Sequence, residues 1–297
     1  MQVIVNPAAA GGRLGREWPT LERRLRGAGH ELEVVFTEAP GHATELAARA
    51  AADGARRVVV AGGDGSVCEA AEGLAESGCE LAILPLGTGN DAARTFGIPL
   101  ALEAAAAVAA GGAVRAVDLI RVGDRLVLNA IGIGLTADIN HRAARVKWVR
   151  GIAVYLATAA VSLVSFRAPR VRIVADGHDL TSTMTILAVH NGPTTGGGFR
   201  LTPGAVPDDA LLDATLVPDV PLSGRLQRLV GALRGTLHTM DGSVALKAPF
   251  LELHHSEALA VHLDGNQWRL EPPVTRFEVV PSALRVVVPA EPPAATF

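Results

Sequence analysis

Cysteine is almost missing from this chain of 297 residues, which carries only Cys68 and Cys79. Two thiols cannot build a disulfide framework, so a reducing compartment is the expected environment. Their spacing fits no metal motif, and both read as small core residues. Aromatic side chains are scarce as well, at 4%, so the core must be aliphatic. Neither sign of charge is in large excess: 27 Lys and Arg face 30 Asp and Glu, for a net charge of −3. No basic face of the kind that grips nucleic acid is expected. Long apolar runs are missing too. The longest uncharged stretch, Gly151 to Phe166, is shorter than the ~20 residues of a spanning helix and contains Thr158, Ser162 and Ser165. The opening MQVIVNPAAAGG lacks the basic region, apolar run and cleavage site of a signal peptide. A soluble, cytoplasmic chain is the expectation.

What is present is hydrophobic bulk. Apolar residues make up 49% and charged ones 19%, which excludes a disordered or fibrous chain. The length suffices for two domains. In the first third, short aliphatic runs alternate with helical stretches. Strands are expected at Gln2–Val5, Leu32–Phe36, Arg57–Ala61 and Leu81–Leu84, and helices at Trp18–Gly29, Ala43–Asp53, Ser66–Ser77, Asn90–Phe96 and Leu100–Ala110. That alternation predicts an α/β domain with a parallel sheet covered on both faces. From Ala113 the texture changes to β-runs separated by Gly, Pro and Asp turns, interrupted by one helix over Val149–Phe166. A larger, mostly antiparallel second domain follows. The expected boundaries are 1–112 and 113–283, with a frayed tail after Pro289.

Chemistry concentrates at two strand–loop–helix joints. In Val58–Ser66 a buried strand runs into Gly62-Gly63-Asp64-Gly65 and then a helix. Glycines let backbone approach a ligand and offer amide donors, and the helix N-terminus favours phosphate. A carboxylate beside phosphates calls for Mg²⁺ or a proton-transfer task. The plainer reading is a tight turn with Asp64 near an N-cap. One βα unit later, Leu84-Pro85-Leu86-Gly87-Thr88-Gly89-Asn90-Asp91 repeats the chemistry. Adjacent parallel strands present their C-terminal ends side by side, where open α/β sheets bind ligands. The Val5-Asn6-Pro7 to Gly11-Gly12 loop is the candidate third wall. Capping is the plain role for Asn90 and Asp91.

These pieces, with TEAPGHA (Thr37–Ala43), NAIGIGLTADI, HNGPTTGGGF and LTPGAVPDDALLD, occur in order along nearly the whole chain. Together they resemble the diacylglycerol kinase catalytic family, in the bacterial lipid-kinase branch related to sphingosine and ceramide kinases. The resemblance implies a nucleotide-binding α/β domain, a β-sandwich domain, an active site in the cleft between them, and a last strand, about 284–289, that returns to the first domain. It implies that Asn6, Thr37, Gly63, Gly65 and Thr88 hold ATP, with Gly62, Ser66, Gly87, Gly89 and Asn90 completing the loops. It implies that Asp64 and Asp91 serve Mg²⁺–ATP and catalysis. A structural Mg²⁺ would be held by the Asp209 side chain and the main-chain oxygens of Val206 and Leu211. The implied reaction moves the γ-phosphoryl group of ATP to a lipid hydroxyl, first of all that of diacylglycerol, at the inner face of the membrane. A homodimer is implied as well.

One departure from the family stands out. The family's Asp-Gly-Glu reads Asp264-Gly265-Asn266 here. An amide does not accept a proton at neutral pH, so Asp264 is the candidate to support catalysis instead. Two other readings stay open: a catalytically weak nucleotide- or lipid-binding homologue, and a kinase for NAD or another soluble alcohol. Ala210 also replaces the Gly of Asp-Asp-Gly, where positive φ is expected. His254 and His255, adjacent on a strand, must face opposite sides and cannot easily share a metal. His42 is expected to play a polar role at a helix N-terminus. Arg142, Arg145, Lys147 and Arg150 form a basic cluster before the apolar helix, either a solvated face or a contact for anionic lipid.

Overall fold

The computed structural model describes residues 1–145 and 152–290. The chain divides into two compact units, one of Met1–Leu119 with the segment from Pro281 onward, the other Ile120–Val280. The first opens with β1 (Gln2–Val5), α1 (Ala9–Gly27), β2 (Glu33–Phe36), α2 (His42–Ala52), β3 (Arg57–Gly62), α3 (Asp64–Leu74), β4 (Glu80–Pro85), α4 (Asp91–Thr95) and α5 (Leu102–Gly111). The cores of β1, β3 and β4 are unbroken aliphatic runs, as strands covered on both faces must be. They pair in parallel in the order β2-β1-β3-β4. Ala-rich α2 gives Ala43, Ala47 and Ala50 to the core beside Ala70, Ala71 and Leu74 of α3. Small side chains let these helices lie close to the sheet and to each other.

Strand β5 (Ala113–Val122) carries the chain across the division. The second unit contains β6 (Arg125–Val127), β7 (Ala130–Gly134), α6 (Leu135–Arg145), α7 (Ile152–Ser165), β8 (Arg170–Ala175), β9 (His178–His190), β10 (Leu212–Pro218), α8 (Leu222–Arg234), β11 (Val244–Ala248), β12 (Phe250–His255), β13 (Leu259–Leu263) and β14 (Asn266–Leu270), and β15 (Val274–Val288) begins in it and ends in the first. Its strands pair antiparallel. Strand β9 serves two sheets: residues 178–183 pair with β8, and residues 184–190 pair with β7 and β10. Between the sheets lies a core that includes Ile131, Ile173, Leu187, Val189, Leu251, Val261 and Phe277. The alternate residues Ile186 and Ala188 of β9 pack on the other side, with Leu135 and Ile139 of α6 and Leu163 of α7. Period-two alternation thus buries both faces of one strand.

Several expectations change here. The helix expected over Val149–Phe166 is α7, and α6 precedes it where no helix is expected; residues 146–151, with Lys147 and Arg150, lie outside the described residues, as do 291–297 in the expected frayed tail. Arg142 of the basic cluster pairs with Asp138 at 2.7 Å on α6. Helix α8 falls where only β-runs and turns are expected. The β-run at Phe277–Pro281 and the last strand expected at about 284–289 are one strand, β15, which turns at Ser282 with φ 53°. Its first half pairs antiparallel with β12, and Arg285 and Val286 pair in parallel with β4. The Ser282 N–H donates to Asp118 at 2.8 Å. His255 is buried, its ring against Thr275 Oγ1, while His254 on the other face is half-exposed. His42 begins α2, and its Nδ1 accepts the Glu38 N–H at 3.1 Å.

One buried ion pair closes the edge of the first unit. Glu80, 3% exposed, meets the Arg57 guanidinium at 2.7 Å, and Arg57 also donates to the carbonyls of Ala109 and Ala110 at the end of α5. Burial is the largest influence on Glu80 and pushes its carboxyl upward. The Arg57 hydrogen bond and charge, with Arg56, outweigh it and hold the group below the ordinary carboxylate range. A lowered folded value means that the pair stabilises at neutral pH and that this contribution is lost as pH falls through that value. Glu80→Gln leaves Arg57 buried without its partner. It is expected to cost about 3 kcal/mol at pH 7 and to flatten the acid side of the stability–pH curve, read by urea melts.

Candidate active site

Strand β3 delivers the first loop. Val58, Val59, Val60 and Ala61 are fully buried, so the strand end that carries Gly62, Gly63 and Asp64 is rigid. Strand β4 delivers the second loop beside it. The Leu86 N–H donates to the Gly62 carbonyl at 2.9 Å, and beyond that bond the two backbones touch. A Cβ built on Gly87 would stand 2.3 Å from the Gly63 Cα, and one on Gly63 3.2 Å from the Gly87 Cα. A side chain at 87 would force the loops apart, and one at 63 would press on the Gly87 backbone. Asn90, with φ 55°, folds back on the loop: its Oδ1 accepts the Gly87 N–H at 2.9 Å and its Nδ2 donates to the Gly87 carbonyl at 3.3 Å. Thr88 and Gly89 form the tip, with Thr88 exposed.

Asp64 does not cap its own helix. It is the first residue of α3, and its Oδ1 accepts the Ala92 N–H of α4 at 3.0 Å. One carboxylate thereby ties the two joints together at helix N-termini, where negative charge is favoured. Asp91 opens α4 and is buried. On the other side of β3, Asn6 follows β1. Its Nδ2 donates to Ser66 Oγ at 2.7 Å, and its Oδ1 accepts the Ala8 N–H at 2.9 Å. Thr37, at the end of β2, is buried, with its N–H on the Val5 carbonyl. Gly65 lies in the first turn of α3. The sheet order therefore sets Thr37, Asn6, the Gly62–Ser66 loop and the Gly87–Asp91 loop along one C-terminal edge, each carried by its own strand.

Asp264 belongs to the second unit and has other work there. Asp264 and Gly265 are the two turn residues between β13 and β14, with φ 48° and 87°. Positive φ at both central positions is what a tight hairpin twisted like its strands demands, and Asp-Gly is a favoured pair for it. The carboxylate accepts the N–H groups of Leu128 at 2.9 Å, Asn129 at 3.1 Å and Ala130 at 2.6 Å. Asn266 begins β14 opposite Leu263. Sequence reasoning passed over the polar residues beside this clamp. The Asn129 amide donates to the Thr194 carbonyl at 2.8 Å, and that of Asn191 to the Leu128 carbonyl at 3.0 Å. His190 meets Thr202 Oγ1 at 2.8 Å. Burial, with a smaller push from His262, holds His190 down to about 3. Polar side chains at the ends of otherwise apolar strands were the available signal.

A family described as "Diacylglycerol kinase catalytic domain" matches residues 1–122, and one described as "YegS C-terminal NAD kinase beta sandwich-like domain" matches residues 129–288. A "Probable lipid kinase YegS-like" from Pseudomonas putida is 36% identical over 273 residues, 91% of this chain and 89% of that protein. One of the same name from Pseudomonas aeruginosa PAO1 is 38% identical over 273 residues, 90% of this chain and 88% of the other. The chain belongs to the diacylglycerol kinase-like lipid kinase family. A crystal structure from Bacillus anthracis, described as "a putative diacylglycerol kinase", superposes with a TM-score of 0.77 at 25% identity, covering 97% of this chain and 96% of that one.

The structural Mg²⁺ site expected from the lipid kinase family meets a different arrangement. Asp209 Oδ2 is 2.7 Å from the Lys247 ammonium, and its Oδ1 accepts the Leu211 N–H at 3.1 Å. Lys247 also reaches Asp213 at 3.5 Å. Val206 is exposed, and Ala210 holds φ 60° without glycine's help. The cation that this carboxylate needs is already supplied by the protein, so these residues do not fit a divalent metal as they stand. Among the described residues no group of three or more His, Cys, Asp or Glu side chains gathers to hold a metal.

Two outcomes follow from this geometry. Gly87→Ala drives a methyl group into the Gly63 backbone and should weaken ATP binding about tenfold or more, read by calorimetry, because the loops must separate. EDTA should leave the melting temperature of the wild type unchanged. Lys247→Met should lower it by a few degrees by leaving two carboxylates uncompensated, a loss of about 1–2 kcal/mol for partly exposed groups.

Proposed function

We propose that this chain transfers the γ-phosphoryl group of ATP to the hydroxyl of a membrane lipid, with diacylglycerol as the first acceptor to consider. The observation that carries the reading is the contact of the Gly63 and Gly87 backbones, with the Asp64 carboxylate tied across it. Two glycine backbones that meet beside helix N-termini suit phosphate, which needs amide donors at close range and no side chain in the way. The carboxylates of Asp64 and Asp91 stand at the same edge and suit a cation that accompanies those phosphates. Mg²⁺ bound there supplies charge neutralisation to the triphosphate.

The side chains divide the rest of the work. Asn6 orients Ser66, and both line the first loop. Thr88 offers its hydroxyl from the loop tip. Phosphoryl transfer depends mainly on position and charge, with modest help from a base. Asn266 supplies no such base, and this favours a slow enzyme, since base assistance is typically worth ~10²–10⁴-fold. Asp264 is assigned a positioning role: its oxygens hold the backbone of residues 128–130. The protein works from the cytoplasm against the inner face of the membrane. Among the described residues no helix is long and apolar enough to cross it.

The test is transfer from γ-labelled ATP with Mg²⁺ to a panel of lipid alcohols in mixed micelles, with NAD as a soluble acceptor and Asp64→Asn beside the wild type. Labelled lipid that falls at least ~10²-fold in the variant is expected, as for loss of a charge-stabilising group. Labelled NAD in place of lipid would move the reading to the soluble acceptor. Retained ATP binding with no transfer to any acceptor would sink the enzyme reading and leave a nucleotide-binding homologue.

A further inference from the structure

Helix α8 is built inside out. Leu222, Leu226, Val230 and Leu233 recur at spacings of four, four and three, which places them on one stripe. That stripe faces outward. Arg225 and Arg228 turn inward instead. Arg225 donates to the Leu163 and Phe166 carbonyls at the end of α7, at 2.8 and 3.0 Å, and to Asp219 at 2.7 Å. Arg228, 9% exposed, donates to the Asp241 carbonyl at 2.6 Å. A helix that met only water would carry its leucines in and its arginines out. Val161 and Val164 extend the stripe onto α7, so that exposure along it runs from 41% at Val230 to 70% at Val164. A cleft of about 430 Å³, lined by Val164, Pro221 and Leu222 among others, joins the two helices.

Charge around the stripe is mostly positive. Neither α7 nor α8 contains an Asp or Glu. Exposed arginines border it: Arg167 just past α7, Arg234 at the end of α8, and Arg200, whose N–H donates to the Ala232 carbonyl at 3.0 Å. Of the nearby acids, Asp219 is paired with Arg225, and Asp241 lies beyond the helix end. Apolar side chains rimmed mainly by arginine, with the one acid of the cleft, Asp219, held by Arg225, complement an anionic bilayer, which takes the leucines into its headgroup–acyl boundary and attracts the cations.

We infer that the outer face of α7 and α8 docks on anionic lipid membranes. This rests on the lipid-kinase reading for its purpose, but its test does not. Vesicles of phosphatidylcholine, with and without phosphatidylglycerol and containing no acceptor lipid, are the probe in a flotation assay. The wild type is expected to float with the anionic vesicles. Leu226→Asp with Leu233→Asp should reduce that partition about tenfold or more by removing buried apolar area. Arg167→Gln and Arg234→Gln should each reduce it about fivefold, equivalent to ~1 kcal/mol per basic residue at the surface. The melting temperature and the phosphorylation of a short-chain, water-soluble acceptor should stay at wild-type values. The arginine variants, which touch no core, carry the test if the aspartates disturb folding. Wild-type flotation by the variants, or no flotation by the wild type, overturns the inference. So does a dimer split by the aspartates while vesicle binding is unchanged, because the stripe is then an interface between copies. Failure of the kinase reading shows separately, as no transfer even to the soluble acceptor.

Discussion

The Gly63 and Gly87 backbones approach to within a distance that no side chain would survive, and the candidate site rests on that contact. Two neighbouring parallel strands must end level for it to form. Full burial of the aliphatic runs in β3 and β4 holds them there, and the parallel register between them leaves no freedom to slip. Asp64 then bonds across to the start of α4. Bare backbone, helix N-termini and carboxylate meet at one edge because the sheet brings four loops there in the order β2-β1-β3-β4. The surface is suited to a phosphate chain and its cation, and to little that is bulky.

Carboxylates elsewhere in the molecule are spent on architecture. Glu80 binds Arg57, which also holds the end of α5. Asp264 gathers the backbone before β7. Asp209 meets Lys247. Each group is removed from water, wholly or in part, and each has a donor or cation in place, as the cost of burying an uncompensated charge requires. This separates structural acids from those at the glycine loops. It also explains how Asp-Gly, a motif with a chemical reading, serves as the turn of a hairpin. Arg225 and Arg228 of α8 follow the same rule: inward, they find carbonyls and a carboxylate, while the leucines face out.

The first unit was the more legible in the sequence. Its strands are local events, short aliphatic runs ended by glycine, and a helix begins where each loop closes. The second unit was less legible. Helix α6 hides in the NAIGIGLTADI segment, whose glycines and β-branched residues suit the strand before it. Helix α8 shows only a weak inward apolar stripe, because Arg225 and Arg228 share the inner side with Leu229 and Ala232. The single strand β15 looked like two, since Pro281 and Ser282 interrupt the pattern within one element. Lys247 as partner of Asp209 could not be foreseen either, for 38 positions separate them and only the pairing of β10 with β11 brings their strands together.

By itself, the order of residues determined which loops carry glycine, hydroxyl and carboxylate, the aliphatic nature of the core and the lack of any disulfide framework, because these depend on residue type and on neighbours a few places away. The tertiary structure alone decided that Gly63 touches Gly87, that Asp64 reaches α4, that Asp264 clamps backbone 134–136 positions distant, and that the leucines of α8 face out. Such facts depend on strand order and on the satisfaction of buried polar groups, which are settled only when the whole chain has packed.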